Sequence, residues 1–367
     1  MTRSIQYTRQ TLGMNVYEAA QVRIAHLFDT YPVITVGFSG GKDSTAVLQM
    51  ALAEARRRRQ VLDVIFSDEE AVDPDTEAYV LEVASWTDIR MHWCCAPVQH
   101  TLQGQARCFW TCWDPAEQAA WVRDYPAPAR PPEASWTVGM SLSELPALLG
   151  LGSREEHCHL VGVRAAESFN RLRGILTTGG YVQKRQGYMY AKPIYDWHTT
   201  DLWQIVRLNQ WRYSAYYDKM YRLGLAREHQ RVAPIGNVAS LSRMHAWPEL
   251  YPAFWDRVIK RLPELDAMAR YSKTKLYRKG IGKPSGWTWQ EWTLHLLDTM
   301  QDEKMQTWFQ RELERTIKRW SRFHSMPFPE TPLRTVDGKS DQPMSWQRFA
   351  MMIGKHDHIE GRSRDLM

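Results

Sequence analysis

The stretch VITVGFSGGKDSTAVLQMALAEA, Val33–Ala55, changes character twice along its length. Val33–Phe38 is a short, β-rich apolar run after Pro32, the pattern of a strand buried in a parallel sheet. From Ser44 onward, Ala46, Val47, Met50, Ala51 and Ala53 recur on or near one helical face. Between strand and helix lies Ser39-Gly40-Gly41-Lys42-Asp43-Ser44. The glycines let the backbone turn sharply with several N–H groups pointing inward, and the helix N-terminus adds its partial positive charge. Such a corner cradles phosphate. Each hydrogen bond to a charged acceptor is worth about 1.5–3 kcal/mol, so a few N–H groups with Lys42 offset the desolvation of a pyrophosphate. A Walker-type loop is excluded: Asp43 follows Gly41-Lys42 where Ser or Thr is required, and Val36 stands where that pattern needs glycine.

The rest of the chain sets bounds. Its 367 residues, 44% of them apolar, suffice for a large core. No apolar run approaches the roughly 20 residues that span a bilayer, and the N-terminus lacks a secretory apolar stretch, so a soluble, cytoplasmic protein without membrane contact is expected. Five cysteines in no regular framework fit a reducing compartment. The net charge of +6 favours polyanionic partners weakly. The run Arg56–Arg59 closes the expected helix, where cations meet the negative dipole end. Most of the 17 Trp read as packing residues.

A second strand within Val61–Thr76 ends in Asp68, Glu69 and Glu70, at the place where α/β nucleotide binders meet ribose, adenine or a metal. Asp68 is the preferred contact, with Glu69 and Glu70 as candidates. A third strand, DIRMHW, leads into Cys94 and Cys95. Further on, the strand HLVGV delivers Arg164 just past its end, and a helix would space Arg164, Glu167, Ser168 and Arg171 along one face. An arginine there can grip phosphate bidentately while Glu167 orients it.

The loop Ser39–Ser44 resembles the S-G-G-x-D-S loop of the PP-loop ATP pyrophosphatases, which cleave ATP between the α and β phosphates. Gly162, Arg164, Glu167, Ser168 and Arg171 resemble the G-x-R-x-x-E-S-x-x-R element of the PAPS reductase-like branch. Pro193, Ile194, Trp197, Asp201 and Trp203 resemble a further segment of that branch, with a structural role, whereas DPDTEAY only loosely echoes its aromatic-Pro-Glu-Thr element. The resemblance covers roughly residues 20–215 and implies an α/β fold, a mostly parallel sheet flanked by helices, with adenine nucleotide bound at Ser39, Gly40, Gly41, Lys42, Asp43, Ser44, Asp68, Gly162, Arg164, Glu167 and Arg171. The whole chain is similar to stand-alone proteins of the immunoglobulin-binding-regulator type, which implies a ParB-like partner. A more distant likeness is to the ATP pyrophosphatase of DNA phosphorothioation.

Departures matter too. Sulfonucleotide reductases carry a C-terminal nucleophilic cysteine, but the last cysteine here is Cys158. Cys94 and Cys95, with Cys108 and Cys112, are weak candidates for an iron–sulfur cluster, and a packed aromatic loop is the competing reading. Residues 100–155 form a Trp/Pro/Ala-rich insertion expected over the site mouth or at a partner surface. Residues 216–330 read as a helical domain, where basic and aromatic residues suit either nucleic acid or amphipathic packing, and Arg243 is a candidate return contact to the nucleotide. Residues 331–367 form a polar tail whose Ile359-Glu360-Gly361-Arg362 matches a common engineered protease site and takes no part in the functional reading.

The sequence thus points to an enzyme that binds ATP with Mg²⁺ and transfers AMP to an unknown acceptor. Lys42 would neutralise the β-phosphate, Asp43 would hold Mg²⁺, and Arg164 would steady a phosphate. A sulfonucleotide reductase borrowing an external thiol and a silent nucleotide-sensing regulator are the rivals.

Overall fold

The computed structural model describes residues 13–101, 109–140, 142–153, 155–177, 180–185, 188–225, 227, 230–236, 240, 244–271, 283–300, 303–331 and 344–354. Cys108, Arg243 and the Ile-Glu-Gly-Arg tail lie outside them. The chain divides into two compact units, Met1–His100 with Trp110–Arg270, and Thr101–Phe109 with Tyr271–Met367.

The first unit is built on a six-stranded sheet. Its strands are β1 (Val33–Gly37), β2 (Leu62–Ser67), β3 (Ile89–Cys94), β6 (His157–Leu160), β7 (Val182–Arg185) and β8 (Tyr188–Ala191), in the order β3-β2-β1-β6-β8-β7. A short ribbon of β4 (Gln99–Thr101) and β5 (Phe109–Thr111) stands apart from it. All neighbours in the large sheet run parallel except β7, which is antiparallel to β8. Central β1 pairs Val36 with Val64 of β2 and with Leu160 of β6, and all three side chains are buried. Central β1 is an apolar run, VITVG, as expected of a strand buried inside a parallel sheet.

Helices α1 (Val16–Thr30), α2 (Lys42–Arg57) and α3 (Pro74–Ala84) come first in the chain. Each start is legible. Asn15 and Glu18 form a capping box on α1 (2.9 and 3.1 Å), and Asp73 accepts from the Thr76 N–H at 2.9 Å with Pro74 in the first turn of α3. The DPDT segment is thus a helix start. Arg58 closes α2 on Asp29 and Glu54, the helix-end role expected of that basic run. The insertion contributes α4 (Leu145–Leu148), and α5 (Phe169–Thr177), α6 (Thr199–Leu208) and α7 (Tyr216–Arg222) follow. The segment before α6 is structural, as expected: Ile194 and Trp197 are fully buried, and Trp197 donates to the Val16 carbonyl at 2.9 Å. Three further helices, α8 (Trp247–Leu250), α9 (Pro252–Arg261) and α10 (Glu264–Tyr271), complete this unit.

One local expectation fails. Arg164–Arg171 is not a continuous helix: a 3₁₀ turn at Ala165–Glu167 ends at Ser168, whose extended backbone (φ −164°, ψ 155°) precedes α5. The Arg164 N–H is instead capped by Glu167 Oε2 at 3.1 Å.

In the second unit, α11 (Trp289–Asp298), α12 (Glu303–Phe323) and α13 (Trp346–Gly354) share one apolar cluster, including Leu297, Phe309, Leu313, Trp320 and Phe349. No helix among the described residues is long and apolar enough to cross a membrane.

The insertion is pinned by a buried carboxylate. Glu70 sits at φ +61° and accepts from the N–H groups of Trp113 (2.7 Å) and Val122 (2.9 Å), with Arg261 Nε 3.3 Å away. Removing one member of a buried ion pair typically costs about 3–5 kcal/mol. Glu70→Ala is therefore expected to lower the melting temperature by several degrees and to expose residues 110–125 to limited proteolysis, and wild-type values for both would refute the role.

Candidate nucleotide site

The loop after β1 and the start of α2 build the centre of the site. Gly41 is the N-cap of α2, and Gly40 adopts φ +69°, where a side chain would also strike Thr76 Cγ2 at 2.6 Å. Ser44 Oγ donates to the Gly41 carbonyl (2.9 Å) and lies 3.1 Å from Ser39 Oγ, closing the turn. The Lys42 N–H donates to Tyr217 Oη at 2.8 Å. Its ammonium donates to Asp43 Oδ2 (2.9 Å) and to the Gln230 carbonyl (3.2 Å).

The loop after β6 comes close to this turn. A β-carbon on Gly162 would lie 2.6 Å from both the Asp43 carbonyl carbon and the Ser44 nitrogen, so only glycine allows the approach. Arg164, almost fully buried, turns behind the loop: Nε bonds the Asp43 carboxylate and Nη1 lies 3.3 Å from Thr199 Oγ1. It thus positions Asp43. A cavity of about 370 Å³ opens over the turn, lined on one side by Ser39, Gly41, Lys42, Asp43 and Ser44 and on the other by Gly162, Glu167, Arg171 and Arg231. Glu167 pairs with Arg171 and lies 3.9 Å from Arg231 Nη1.

The electrostatics favour an anion at this place. Burial lowers the Lys42 pKa from its ordinary value; Asp43 works against this, and Arg164 and Arg231 add to it. Burial also lowers Arg171, and the like charge of Arg231 adds to the effect. Burial opposes the Asp43 carboxylate, but the Lys42 and Arg164 charges outweigh it and hold its pKa down. Cations are thus crowded against two carboxylates that only partly compensate them. An oxyanion relieves that strain.

A small cleft of about 90 Å³ shares Ser39 and Val232–Pro234 with this cavity. Phe66, Ala71, Val72 and Trp247 give it apolar walls, and Ser67 and Glu69 are polar groups on its lining. The Ser67 hydroxyl is buried without a partner. Burial, aided by the neighbouring Asp68 charge, raises the Glu69 pKa to about 8.

The structure brings together Ser39, Gly41, Lys42, Asp43, Ser44, Gly162, Glu167 and Arg171. It does not bring Asp68 to either cavity: Trp93 Nε1 (2.8 Å), Trp113 Nε1 (3.3 Å) and the Arg123 guanidinium consume its carboxylate. Glu70 is likewise structural, and Glu69 alone of the three acidic residues lines the cleft. No described residue of the insertion lines the cavity or the cleft. Tyr217, Gln230, Arg231 and Val232–Pro234 were not expected; they come from α7 and irregular chain with no motif to mark them. Cys94, Cys95 and Cys112 are buried, and Cys94 and Cys112 donate to carbonyls at 3.4–3.5 Å. Burial pushes the Cys94 thiol up to about 12 and raises the other two. Among the described residues no cluster of His, Cys, Asp or Glu is arranged to hold a metal by itself.

Residues 33–225 match the phosphoadenosine phosphosulfate reductase domain, and residues 224–327 match a domain of unknown function, DUF3440. The chain belongs to the phosphoadenosine phosphosulfate reductase domain family. It is 26% identical over 372 residues to the uncharacterized protein YbdN of Escherichia coli K12, covering 95% of this chain and 89% of that one. Among solved structures it is similar to the phosphoadenylyl-sulfate reductase of Candida auris in its phosphate complex, with 12% identity, TM-score 0.32, and 63% of this chain against 98% of that one. The FMN adenylyltransferase of Candida glabrata gives 12% identity and TM-score 0.36, over 58% of this chain and 62% of that one. The chain therefore spans less than two thirds of that enzyme.

Two expectations follow from the geometry. Gly162→Ala forces backbone apart at the loop; overpacking costs about 1–3 kcal/mol, so both melting temperature and nucleotide affinity should fall, and unchanged values would contradict the close approach. For Glu69, the folded pKa lies above the unfolded value, so the folded state binds the extra proton. Its contribution to stability is full below 4.5 and is lost as pH rises toward about 8. Thermal melts should lose stability across that interval in wild type relative to Glu69→Gln, and parallel pH profiles would remove the assignment.

Proposed function

We propose that this protein binds ATP at the Ser39–Ser44 loop and transfers its AMP moiety to an acceptor, releasing pyrophosphate. The observation that carries the reading is the cavity over the loop, where Lys42, Arg171 and Arg231 converge on the N-terminus of α2. In this reading the triphosphate takes Lys42 from Asp43, and Arg171 and Arg231 from Glu167, while Asp43 stays paired with Arg164. The adenine enters the adjoining cleft, with Ser67 and Glu69 at its polar edge and Phe66 and Trp247 among its walls.

An acceptor oxygen attacks the α-phosphorus, the bond from that phosphorus to the bridging oxygen breaks, and the electron pair leaves with pyrophosphate. The acceptor proton passes to solvent. Lys42 and the loop N–H groups meet the charge that grows on the leaving group, where fixed donors in a partly dry site act most strongly. Arg171 and Arg231 hold the outer phosphates, and Arg164 keeps Asp43 in place. The donor set fits Mg²⁺, which usually takes one or two carboxylates together with substrate phosphates. Asp43 would be its protein ligand, supplying charge neutralisation to the phosphates when the ion is bound.

Incubation with Mg-ATP, alone and with candidate acceptors, should yield AMP and pyrophosphate in wild type. Asp43→Ala and Lys42→Ala should lose at least about 100-fold in rate, the scale seen when one preorganised transition-state contact is removed. ATP bound without AMP formation under any condition would overturn the transfer and favour a nucleotide sensor. Family membership supports one rival chemistry, reduction of a sulfonucleotide by an external thiol. Sulfite released from a sulfonucleotide and thiol, in place of AMP from ATP, would select it.

A further inference from the structure

Helix α6 buries Leu202, Ile205 and Val206, and its other face carries Thr200, Trp203, Gln204 and Arg207 at helical spacing. Across from them stand Tyr213, from the segment just before α7, and Tyr217 and Tyr221 from α7 itself. Together with Arg227 and Gln230 they enclose a second cavity of about 440 Å³ within the same compact unit. This is the size range of small-molecule pockets.

Its chemistry is specific. Trp203 meets Tyr213 and Tyr217 edge-to-face, with ring centroids 5.1 and 5.4 Å apart. Tyr221 is 62% exposed, an aromatic ring left at the rim. The guanidiniums of Arg207 and Arg227 meet no carboxylate among the described residues. The single acidic lining residue, Asp218, accepts from Tyr213 Oη at 3.1 Å. Aromatic faces accept a planar group, and exposed guanidiniums on the same lining accept a phosphate.

The pocket also backs directly onto the loop. Tyr217 lines both cavities, and its hydroxyl takes the Lys42 N–H. Gln230 lines the second cavity and gives its carbonyl to the Lys42 ammonium. An occupant pressed on Tyr217 and Gln230 therefore touches two of the three residues bonded to Lys42, the third being Asp43.

We propose that the groove between α6 and α7 is a second nucleotide-binding pocket, taking a base against Trp203, Tyr213 and Tyr221 and its phosphate on Arg207 and Arg227. As the acceptor's seat it rests on the adenylyl-transfer reading; as a binding site it is independent of it. The nucleotide is either free or part of a single strand, and the same contacts serve both.

The test is equilibrium binding to the full chain, with the loop filled by an α,β-methylene analogue of ATP. The probes are nucleoside monophosphates and a short labelled single-stranded oligonucleotide. Saturable binding with quenching of tryptophan fluorescence is expected. Arg207→Glu with Arg227→Glu, and separately Tyr221→Ala, should weaken it tenfold or more while keeping the wild-type melting temperature, since all three side chains are exposed. The double variant should also flatten the salt dependence of oligonucleotide binding. Monophosphate binding identifies the free nucleotide as occupant; binding of the oligonucleotide alone identifies the polymer. No saturable binding of either, or binding that both variants leave unchanged, overturns the pocket. Failure of the loop reading looks different: the analogue then binds wild type no better than Lys42→Ala, whatever the second pocket does.

Discussion

The Asp43 carboxylate, held between the Lys42 ammonium and the Arg164 guanidinium, is the contact on which the site's geometry depends. It ties the turn after β1 to the turn after β6, two neighbouring parallel strands whose carboxyl ends would otherwise leave an open crevice. Burying charge in this way costs several kcal/mol per ion unless the partners are close and otherwise bonded. Each of these three groups meets that condition: Arg164 reaches Thr199, Lys42 reaches Gln230, and Asp43 takes both cations. Gly162 is the steric half of the same junction, because any side chain there would hold the two turns apart.

What could be read in advance follows from how each residue gets its place. The phosphate turn was legible because one short segment carries strand, glycines, cation and helix start in sequence, and local backbone geometry does the rest. The element from Gly162 to Arg171 was legible as a unit, but the paths of its side chains were not. An interrupted helix sends Arg164 behind the loop and leaves Glu167 and Arg171 in the cavity. Asp68 shows the opposite failure. Its place at a strand end suggested a ligand contact, yet the indoles of Trp93 and Trp113, which nothing local connects to it, claim its oxygens. Arg231 and Tyr217 were invisible for a related reason: they reach the site through tertiary packing of α7 and an irregular segment with no period or motif.

The three acidic residues after β2 show how one strand end can divide its labour. Asp68 and Glu70 are spent on the insertion, through Arg123, Trp113 and Val122, and so fix the outer edge of the fold. Glu69 lies between them and has no comparable partner; His100 Nε2 stands 4.0 Å away and is itself unbonded. Desolvation therefore wins at Glu69 and keeps it protonated to about 8. A neutral carboxyl can donate as well as accept, which suits the mixed edge of a nucleobase better than a charged one would.

The balance of charge in the main cavity carries the same logic further. Among the described residues, Lys42, Arg171 and Arg231 in the cavity and Arg164 behind the loop have only Asp43 and Glu167 as carboxylate partners, and the like charges of Arg164 and Arg231 act against both Lys42 and Arg171. A protein does not gather uncompensated cations for stability alone, since each would be better solvated outside. Gathered at a helix N-terminus, behind a turn whose shape requires glycine, they are organised for a polyanion before it arrives. In the proposed reaction the cost of arranging donors would be met during folding, leaving the nucleotide's binding energy available for the step that breaks its bond.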